Sequence, residues 1–353
     1  MKLSEYLNVE LLEGNIKSGM VAENHHPTLP LTLYCYTRKA VAKDYWTDVT
    51  KKCRGLIVCD IDGEIISRPF IKFFGYYWLG QIETYPGSVL QTDKQFGPPV
   101  ITEKINGNLG IFWKYGIHWG IASKGSFSSD HAKWAEKWMA DHIENNGKLV
   151  FPEGYTPVFE MICQKVQEHC IKYERDELVL IAFVNNNTGE ELAYHKLANY
   201  ATLNKLNYTD IESCTFNEAL NKDRPGYEGY VATYNRPGQP PLKIKIKHPS
   251  FVTARKEFYA QKELTKLKAN PDPAYAEVFD KASGLVLEAL ATFTTRKEIG
   301  VFFTLPENRE FSQTCFAMLD CRDHKPAINR LLAKRLQESQ TSTISVLNTK
   351  ETE

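Results

Sequence analysis

Several features that mark common classes of protein are absent from this 353-residue sequence. Its net charge is zero, with 43 basic and 43 acidic side chains, so a nucleic acid would have to be bound by a local basic patch. Its eight cysteines form no Cys-x-x-Cys pair and no zinc-like spacing, which predicts reduced thiols. The N-terminus does not resemble a signal peptide, and no apolar run is long enough to span a membrane. We therefore expect a cytoplasmic protein with no membrane partner.

One stretch, residues 102–108, stands out against this background. It places Lys104 between an apparent strand and a turn that carries Asn106 and Gly107. Because glycine permits positive φ and close backbone approach, this turn can hold Lys104 at a strand end, facing a pocket. A partly desolvated lysine near other cations can lose its proton and act as a nucleophile. The same residues also suit an ordinary hairpin loop with a solvated lysine.

Strand-like and helix-like segments are distributed unevenly along the chain, which indicates an α+β protein. Helical patterns occupy 129–145 and then dominate beyond residue 250, at 252–268, 273–292 and 325–338. The polar, Ser/Thr-rich residues 339–353 predict a disordered tail. Strand patterns occur before residue 250, at 31–36, 55–59, 65–67, 109–114, 117–122, 157–162, 177–184, 227–232 and 242–247.

Charged side chains stand in unusual places within these strands. Lys72 is flanked by phenylalanines, so its stem covers apolar surface or its ammonium group reaches an anionic ligand. Glu160 interrupts an apolar strand, where a carboxylate is costly unless it is paired or binds a ligand. Residues 242–247 alternate strictly and place Lys243, Lys245 and Lys247 on one face. Such a face is also typical of a solvated edge strand.

Together these positions suit a nucleoside triphosphate with a divalent metal. Cations would neutralise phosphates, carboxylates would bind Mg²⁺, and one lysine would attack the α-phosphorus. A Gly-x-x-x-x-Gly-Lys-Ser/Thr loop is absent from the sequence, so the phosphates are not held in the manner of P-loop ATPases. The carboxylates are Glu160 and Glu228, and the cations are Arg54, Lys72, Lys104, Lys124, Lys245 and Lys247.

In this order and spacing, the motifs resemble those of the covalent nucleotidyltransferase superfamily, and most closely the bacteriophage RNA ligase 1 family. The resemblance covers about residues 31–250. It implies a nucleotidyltransferase (adenylation) domain at 1–250 with antiparallel sheets flanked by helices. Beyond it, the helical patterns predict a mainly helical C-terminal domain at 251–338, which we expect to help select the RNA, and the polar composition predicts the tail at 339–353.

The resemblance also assigns roles to residues. Lys104, in Glu103-Lys104-Ile105-Asn106-Gly107, matches the lysine that receives the adenylate. Glu160 and Glu228 match the carboxylates on the ribose and metal side. Many members have aspartate where this chain has Asn106, to which we assign no metal role. The remaining nucleotide-binding matches are Tyr36, Arg54, Lys72, Glu103, Lys124, Lys245 and Lys247.

The implied activity is ATP-dependent RNA ligation through lysyl-AMP and an adenylated RNA 5′ end. We expect Mg²⁺ as cofactor, with Mn²⁺ able to substitute. The expected partner is single-stranded or nicked-loop RNA with 5′-phosphate and 3′-hydroxyl ends, such as a broken tRNA, bound by a monomer in the cytoplasm (the host cytoplasm if the protein is viral). Like-charge repulsion from Lys245 and Lys247, together with Mg²⁺, should lower the pKa of Lys104.

Two alternatives remain, one within the same superfamily and one that is not an enzyme. A DNA ligase or an mRNA-capping guanylyltransferase would follow the last lysine motif with a small β-barrel, whereas the residues beyond 253 have helical patterns. A non-catalytic RNA-binding module on a decayed ligase scaffold would have lost some of the charged positions, and all of them are present.

Overall fold

The structure is a computed structural model that describes residues 1–76, 97–269, 273–293, 296–320 and 324–335. It divides the chain into two compact units, Met1–Val252 and Thr253–Glu353. The predicted disordered tail at 339–353 lies outside the described residues. No helix in the described ranges is long and apolar enough to cross a membrane.

The strands of the described residues all fall in the first unit. In chain order they are β1 (Val21–His25), β2 (Leu31–Tyr36), β3 (Arg54–Cys59), β4 (Ile65–Ser67), β5 (Phe74–Gly75), β6 (Val100–Glu103), β7 (Asn108–Tyr115), β8 (His118–Ser123), β9 (Tyr155–Ile162), β10 (Glu177–Asn185), β11 (Asn207–Tyr208), β12 (Gly229–Tyr234) and β13 (Leu242–Lys247).

Helices alternate with these strands along the chain, and the elements described beyond residue 249 are all helical. In chain order they are α1 (Leu3–Tyr6), α2 (Val9–Lys17), α3 (Arg38–Ala42), α4 (Asp48–Lys52), α5 (Asp130–Asn146), α6 (Tyr194–Leu203), α7 (Phe216–Asn221), α8 (Pro249–Ala269), α9 (Pro273–Thr292), α10 (Arg296–Thr304), α11 (Ser312–Leu319) and α12 (325–335). The α+β class and the helical C-terminal region are therefore confirmed.

The strands form three sheets, with orders β1-β2-β3-β4, β11-β10-β9-β7-β8 and β5-β13-β12-β6. Most pairs are antiparallel, as expected; the exceptions in the described residues are β10 with β11 and β13 with β5. A hairpin turn at Asp62-Gly63 joins β3 to β4, with Gly63 at φ +73°. Strand β1 and helix α2 lie in the first 30 residues, where no clear pattern predicts either element.

Apolar side chains join the first two sheets into one core. Leu33 and Ile57 of the first sheet pack in the same cluster as Ile111 and Val158 of the second. Gly55, at φ +92°, permits this approach, because a Cβ there would lie 2.2 Å from the Ile111 side chain. The neighbouring Arg54 is thus fixed where the two sheets meet.

The second unit has a separate apolar core. Val278 and Phe279 of α9 pack in one cluster with Phe303 of α10 and Cys315 of α11, and Ile328 of α12 joins them. All five side chains are at most 2% exposed, so the helices beyond residue 252 bury a continuous apolar interior of their own.

Candidate active site

The segment from Lys104 to Gly107 connects β6 of the third sheet to β7 of the second. The backbone N–H of Lys104 donates to the Gly229 carbonyl at 2.9 Å and holds the lysine against the start of β12. Gly107 does not adopt positive φ. Glycine is required there for close approach, because a Cβ would lie 2.6 Å from the Met161 carbonyl oxygen.

Glu228 pairs with two lysines from different strands. Its Oε2 lies 3.0 Å from Lys104 Nζ, and its Oε1 lies 3.1 Å from Lys247 Nζ. The side chains of Lys104 and Glu228 are only 18% and 5% exposed. The interpretation of Lys104 as a solvated hairpin lysine is therefore wrong.

Asn106 fixes this ion pair, a contribution that the sequence did not indicate. Its Nδ2 donates to Glu228 Oε2 at 2.9 Å, the same oxygen that contacts Lys104. Its backbone N–H donates to the Tyr173 hydroxyl at 2.8 Å, and Cys170 Sγ lies 3.9 Å from its Oδ1. Tyr173 and Cys170 come from the connection between β9 and β10, where no sequence pattern pointed to the site.

Glu160 is positioned by the register of β9 against β7, which places it opposite Leu109. Its Oε1 accepts a hydrogen bond from the Gly107 N–H at 3.0 Å. Burial raises the pKa of Glu160, although Lys104 opposes this effect. Two carboxylates, Glu160 and Glu228, thus face the same lysine.

The pKa of Lys104 is raised, contrary to our expectation. Burial is the largest single influence and lowers this pKa, but the combined effect of Glu228 and Glu160 is larger and raises it above the usual value. Burial likewise raises the pKa of Glu228, yet Lys104 and Lys247 outweigh burial and hold it at about 2. The sequence could not reveal this outcome, because it did not show which carboxylates would contact Lys104.

Lys243, Lys245 and Lys247, which we call the lysine face, project from β13. The edge-strand interpretation is wrong, since β13 lies between β5 and β12. Lys245 Nζ stands 4.5 Å from the centre of the Phe73 ring. Burial, followed by repulsion from Arg54 and other cations, holds the pKa of Lys245 well below its usual value.

Lys72 and Arg54 lie among aromatic rings close to the lysine face. Lys72 Nζ is 4.6 Å from the Phe74 ring centre and 4.9 Å from that of Trp46. Burial lowers the pKa of Lys72 to about 8, and Arg54 and Lys124 reinforce that shift. Arg54 Nη1 is buried and has no hydrogen-bond partner in the described residues. A buried guanidinium nitrogen of this kind suits an anionic ligand.

Tyr36 and Lys124, which the sequence connects only through the resemblance, are in contact. Lys124 Nζ lies 4.4 Å from the centre of the Tyr36 ring, and Tyr36 packs edge-on against Trp46. Lys124 also influences the pKa of Lys72. The structure therefore places this pair beside the other cations.

Glu103 differs from the other predicted site residues. Burial raises the pKa of its carboxyl, and its charged neighbours are Arg224, Asp210 and Glu212. Its backbone carbonyl accepts a hydrogen bond from Thr209 Oγ1 at 2.9 Å. The described contacts of Glu103 are thus made with residues that were not predicted to belong to the site.

The residues present fit a nucleotide whose phosphates carry a divalent cation. Within the described ranges, no group of three or more His, Cys, Asp or Glu side chains could hold a metal by itself. Mg²⁺ commonly needs only one or two carboxylates, since substrate phosphates and water complete its octahedron. Glu160 and Glu228 provide the carboxylates, and the surrounding cations suit the phosphates.

Comparison with known sequences identifies the family. A model of the RNA ligase family matches residues 52–251, more than half of the chain. The match includes each predicted site residue except Tyr36. The chain therefore belongs to the RNA ligase family, which confirms the resemblance that the motifs indicated.

Two relatives share about a quarter of their aligned residues with this chain. A candidate RNA ligase of Thermovibrio ammonificans is 26% identical over 221 residues, covering 60% of this chain and 55% of the relative. A candidate bifunctional polynucleotide kinase/RNA ligase of Autographa californica nuclear polyhedrosis virus is 24% identical over 213 residues, covering 56% and 30%. The chain thus spans about half the length of the first relative and less than a third of the second.

Solved structures are more distant. The Naegleria gruberi RNA ligase, in a structure with ATP and Mn, has a TM-score of 0.38 at 13% identity, covering 48% of this chain and 55% of that one. A candidate ATP-dependent DNA ligase of Aquifex aeolicus has a TM-score of 0.48 at 15% identity, covering 93% and 88%. Both TM-scores are below 0.5, so the family assignment depends on the sequence match.

Proposed function

We propose that the protein is an ATP-dependent RNA ligase that joins 5′-phosphate and 3′-hydroxyl ends through a lysyl-AMP intermediate. One observation carries this proposal: Lys104 is enclosed by carboxylates and cations within the region that the RNA ligase family model matches. The buried and unpartnered Arg54 Nη1 supports a phosphate ligand beside it.

The reaction consists of three nucleotidyl transfers. In the first, Lys104 Nζ attacks the α-phosphorus of ATP, a P–N bond forms, the bond to the β-phosphate breaks, and pyrophosphate leaves. In the second, an oxygen of the RNA 5′-phosphate attacks the same phosphorus and releases Lys104. In the third, the RNA 3′-hydroxyl attacks the activated 5′-phosphate and AMP leaves.

The first transfer requires Lys104 without its extra proton, although Glu228 and Glu160 favour the protonated form. A bound group that engages the Glu228 carboxylate would remove one of these influences. Burial and Arg54, which lower the pKa of Lys104, would remain. Glu228 thus serves as a counterion at rest and releases Lys104 when the nucleotide complex binds.

The other charged residues stabilise developing negative charge. Lys245 and Lys247 would neutralise the α-phosphate and the departing pyrophosphate, with Arg54, Lys72 and Lys124 on the remaining phosphate oxygens. Glu160 and Glu228 would hold Mg²⁺ or Mn²⁺ when it is bound, and the cation would supply further neutralisation of the phosphates.

The remaining assignments are parts of the same proposal. Residues 1–250 form the adenylyltransferase domain, and the helices of 251–338 help to select a single-stranded or nicked-loop RNA, such as a broken tRNA. The protein acts as a cytoplasmic monomer in RNA repair. The salt dependence of RNA affinity tests the local basic site, because affinity should fall as salt rises.

The test is incubation with α-³²P-labelled ATP and Mg²⁺, followed by a denaturing gel. Wild type should retain label that pyrophosphate or 5′-phosphorylated RNA removes. Lys104→Met, which has no nucleophilic nitrogen, should retain none. The exposed residue Lys114 offers a matched control, and Lys114→Met should label like wild type.

Other outcomes would overturn the proposal. Labelling with GTP in place of ATP would favour a capping enzyme, and transfer to DNA ends alone would favour a DNA ligase. Absence of label with either nucleotide, in a folded protein that still binds RNA, would indicate a binding module.

A further inference from the structure

A cavity of about 250 Å³ lies within the first unit, next to the lysine face. Its charged lining consists mainly of cations, with one carboxylate among them. These charged residues are Lys51, Arg68, Lys72, Arg236, Lys243 and Glu191. Arg68 and Arg236 already donate to backbone carbonyl oxygens, so the lysines of this lining are the cations that favour an anionic ligand.

Two residues connect this cavity to the candidate active site. Lys72 lines the cavity and is also influenced by Arg54 and Lys124. Lys243 lines the cavity and precedes Lys245 by two residues on the same face of β13, a distance of about 7 Å along a strand. The cavity is therefore next to the cations that the proposed function assigns to the ATP phosphates.

The remaining wall is apolar and aromatic. Phe70, Phe73 and Phe74 line it together with Pro240 and Pro241. Bases pack on ring faces while cations contact the phosphates, which is how many proteins bind single-stranded nucleic acid. A bare pyrophosphate has no surface that such rings would recognise, whereas a nucleotide has both a base and a phosphate.

A buried ion pair occupies one side of the cavity. Lys243 Nζ lies 2.7 and 2.6 Å from the two carboxylate oxygens of Glu191. The two side chains are only 10% and 11% exposed, and the ammonium group also stands 4.4 Å from the Phe70 ring centre. Glu191 thus occupies the position at which an incoming phosphate would contact Lys243.

We propose that this cavity binds the 5′-phosphorylated terminal nucleotide of the RNA strand, with its base against the phenylalanine wall and its phosphate toward Lys72 and Lys243. Glu191 competes with that phosphate for Lys243 and so limits its affinity. The proposal rests on the RNA ligase function, and it assigns the strand that carries the 5′-phosphate to a particular part of the molecule.

The first test uses Lys51→Glu, which reverses a charge of the cavity lining. The exposed residue Lys17 provides a control with the same charge change, Lys17→Glu. Fluorescence anisotropy measures the affinity for a short RNA with a 5′-phosphate and for the same RNA with a 5′-hydroxyl. Lysyl-AMP formation is measured in parallel, and thermal unfolding verifies that each variant is folded.

Lys51→Glu should weaken binding of the 5′-phosphorylated RNA roughly tenfold and leave lysyl-AMP formation within about twofold of wild type. The 5′-hydroxyl RNA and the Lys17→Glu variant should show little change. An unchanged affinity, or an equal loss in Lys17→Glu, would overturn the proposal. A raised KM for ATP with unchanged RNA affinity would instead assign the cavity to the nucleotide triphosphate.

The second test uses Glu191→Gln, which leaves Lys243 without its counterion. If Glu191 competes with phosphate, affinity for the 5′-phosphorylated RNA should increase roughly threefold. If the ion pair is only structural, stability should fall without a gain in affinity, and the proposal would be wrong. Failure of wild type to form lysyl-AMP would overturn the ligase function, while these binding measurements would still report on the cavity.

Discussion

Two lysines of the site, Lys104 in the turn after β6 and Lys245 on the lysine face of β13, have pKa values shifted in opposite directions. Lys104 lies 3.0 Å from Glu228, and its pKa is raised. Lys245 stands over the Phe73 ring among other cations, and its pKa is lowered well below the usual value. Both lysines are largely enclosed, so burial alone does not explain the difference.

The difference lies in the available carboxylates. Glu228 contacts Lys104 with one oxygen and Lys247 with the other, so both oxygens are already paired with lysines. Burial and repulsion from neighbouring cations therefore lower the pKa of Lys245, whereas at Lys104 the two carboxylates outweigh burial and the repulsion from Arg54. Lys104 is thus held in its charged form, whereas the charged form of Lys245 is disfavoured.

The largest effect should come from Glu228→Gln, which removes the carboxylate charge that is paired with Lys104 and Lys247. We expect self-adenylation to fall about 1,000-fold and the free energy of unfolding at pH 7 to fall by about 3 kcal/mol, since the partly buried Lys104 and the more exposed Lys247 lose their shared partner. Label transfer from α-³²P-ATP and urea unfolding measure these changes. The exposed Glu153→Gln provides the matched control.

The loss of stability in Glu228→Gln should become smaller as the pH falls. The pKa of Glu228 is about 2 in the folded protein, against an ordinary value of 4.5. Its stabilisation is therefore complete above pH 4.5 and is lost as the pH falls toward 2. The stability difference between wild type and Glu228→Gln should shrink over that interval. Equal stabilities at pH 7 would contradict the ion pair.

An intermediate effect should come from Lys245→Met, which should change activity and stability in opposite directions. We expect self-adenylation to fall about 100-fold, because a cation near the phosphates is lost. The free energy of unfolding at pH 7 should rise by about 1 kcal/mol, because the variant removes a buried charge repelled by its neighbours.

Lys247→Met is the matched variant on the same face, and it should lower both activity and stability because Lys247 pairs with Glu228. The gain from Lys245→Met should shrink as the pH rises toward 10.5 and vanish above it, where wild-type Lys245 becomes neutral in the unfolded state as well as in the folded state. A variant that loses stability at pH 7, or one that adenylates normally, would contradict this account of Lys245.

The smallest effect should come from Tyr173→Phe, which removes the hydroxyl that accepts the Asn106 N–H. Self-adenylation should fall about fivefold and stability by about 1 kcal/mol, because the turn that carries Lys104 loses one anchor. A kinetic pH profile distinguishes positioning from general destabilisation, since only a displaced Glu228 would alter the apparent pKa of Lys104. An unchanged rate and profile would show that Tyr173 is not needed to position the turn.

Sequence patterns located many of the chemically important side chains because each one violates a local rule. A lysine among phenylalanines, a glutamate within an apolar strand and an alternating lysine strand are all costly without partners. Tyr173 and Cys170 violate no such rule, and they reach Asn106 only because the connection between β9 and β10 passes over the turn. Local patterns therefore could not indicate them.

The α+β class, the helical C-terminal region and the family follow from the amino-acid sequence, because periodicity and motif order are properties of the chain. Which charges meet depends on the fold. Strand register places Glu160 opposite Leu109, and sheet order makes β13 an internal strand. The sign of each pKa shift depends on distances between residues far apart in the chain, which only the folded arrangement fixes.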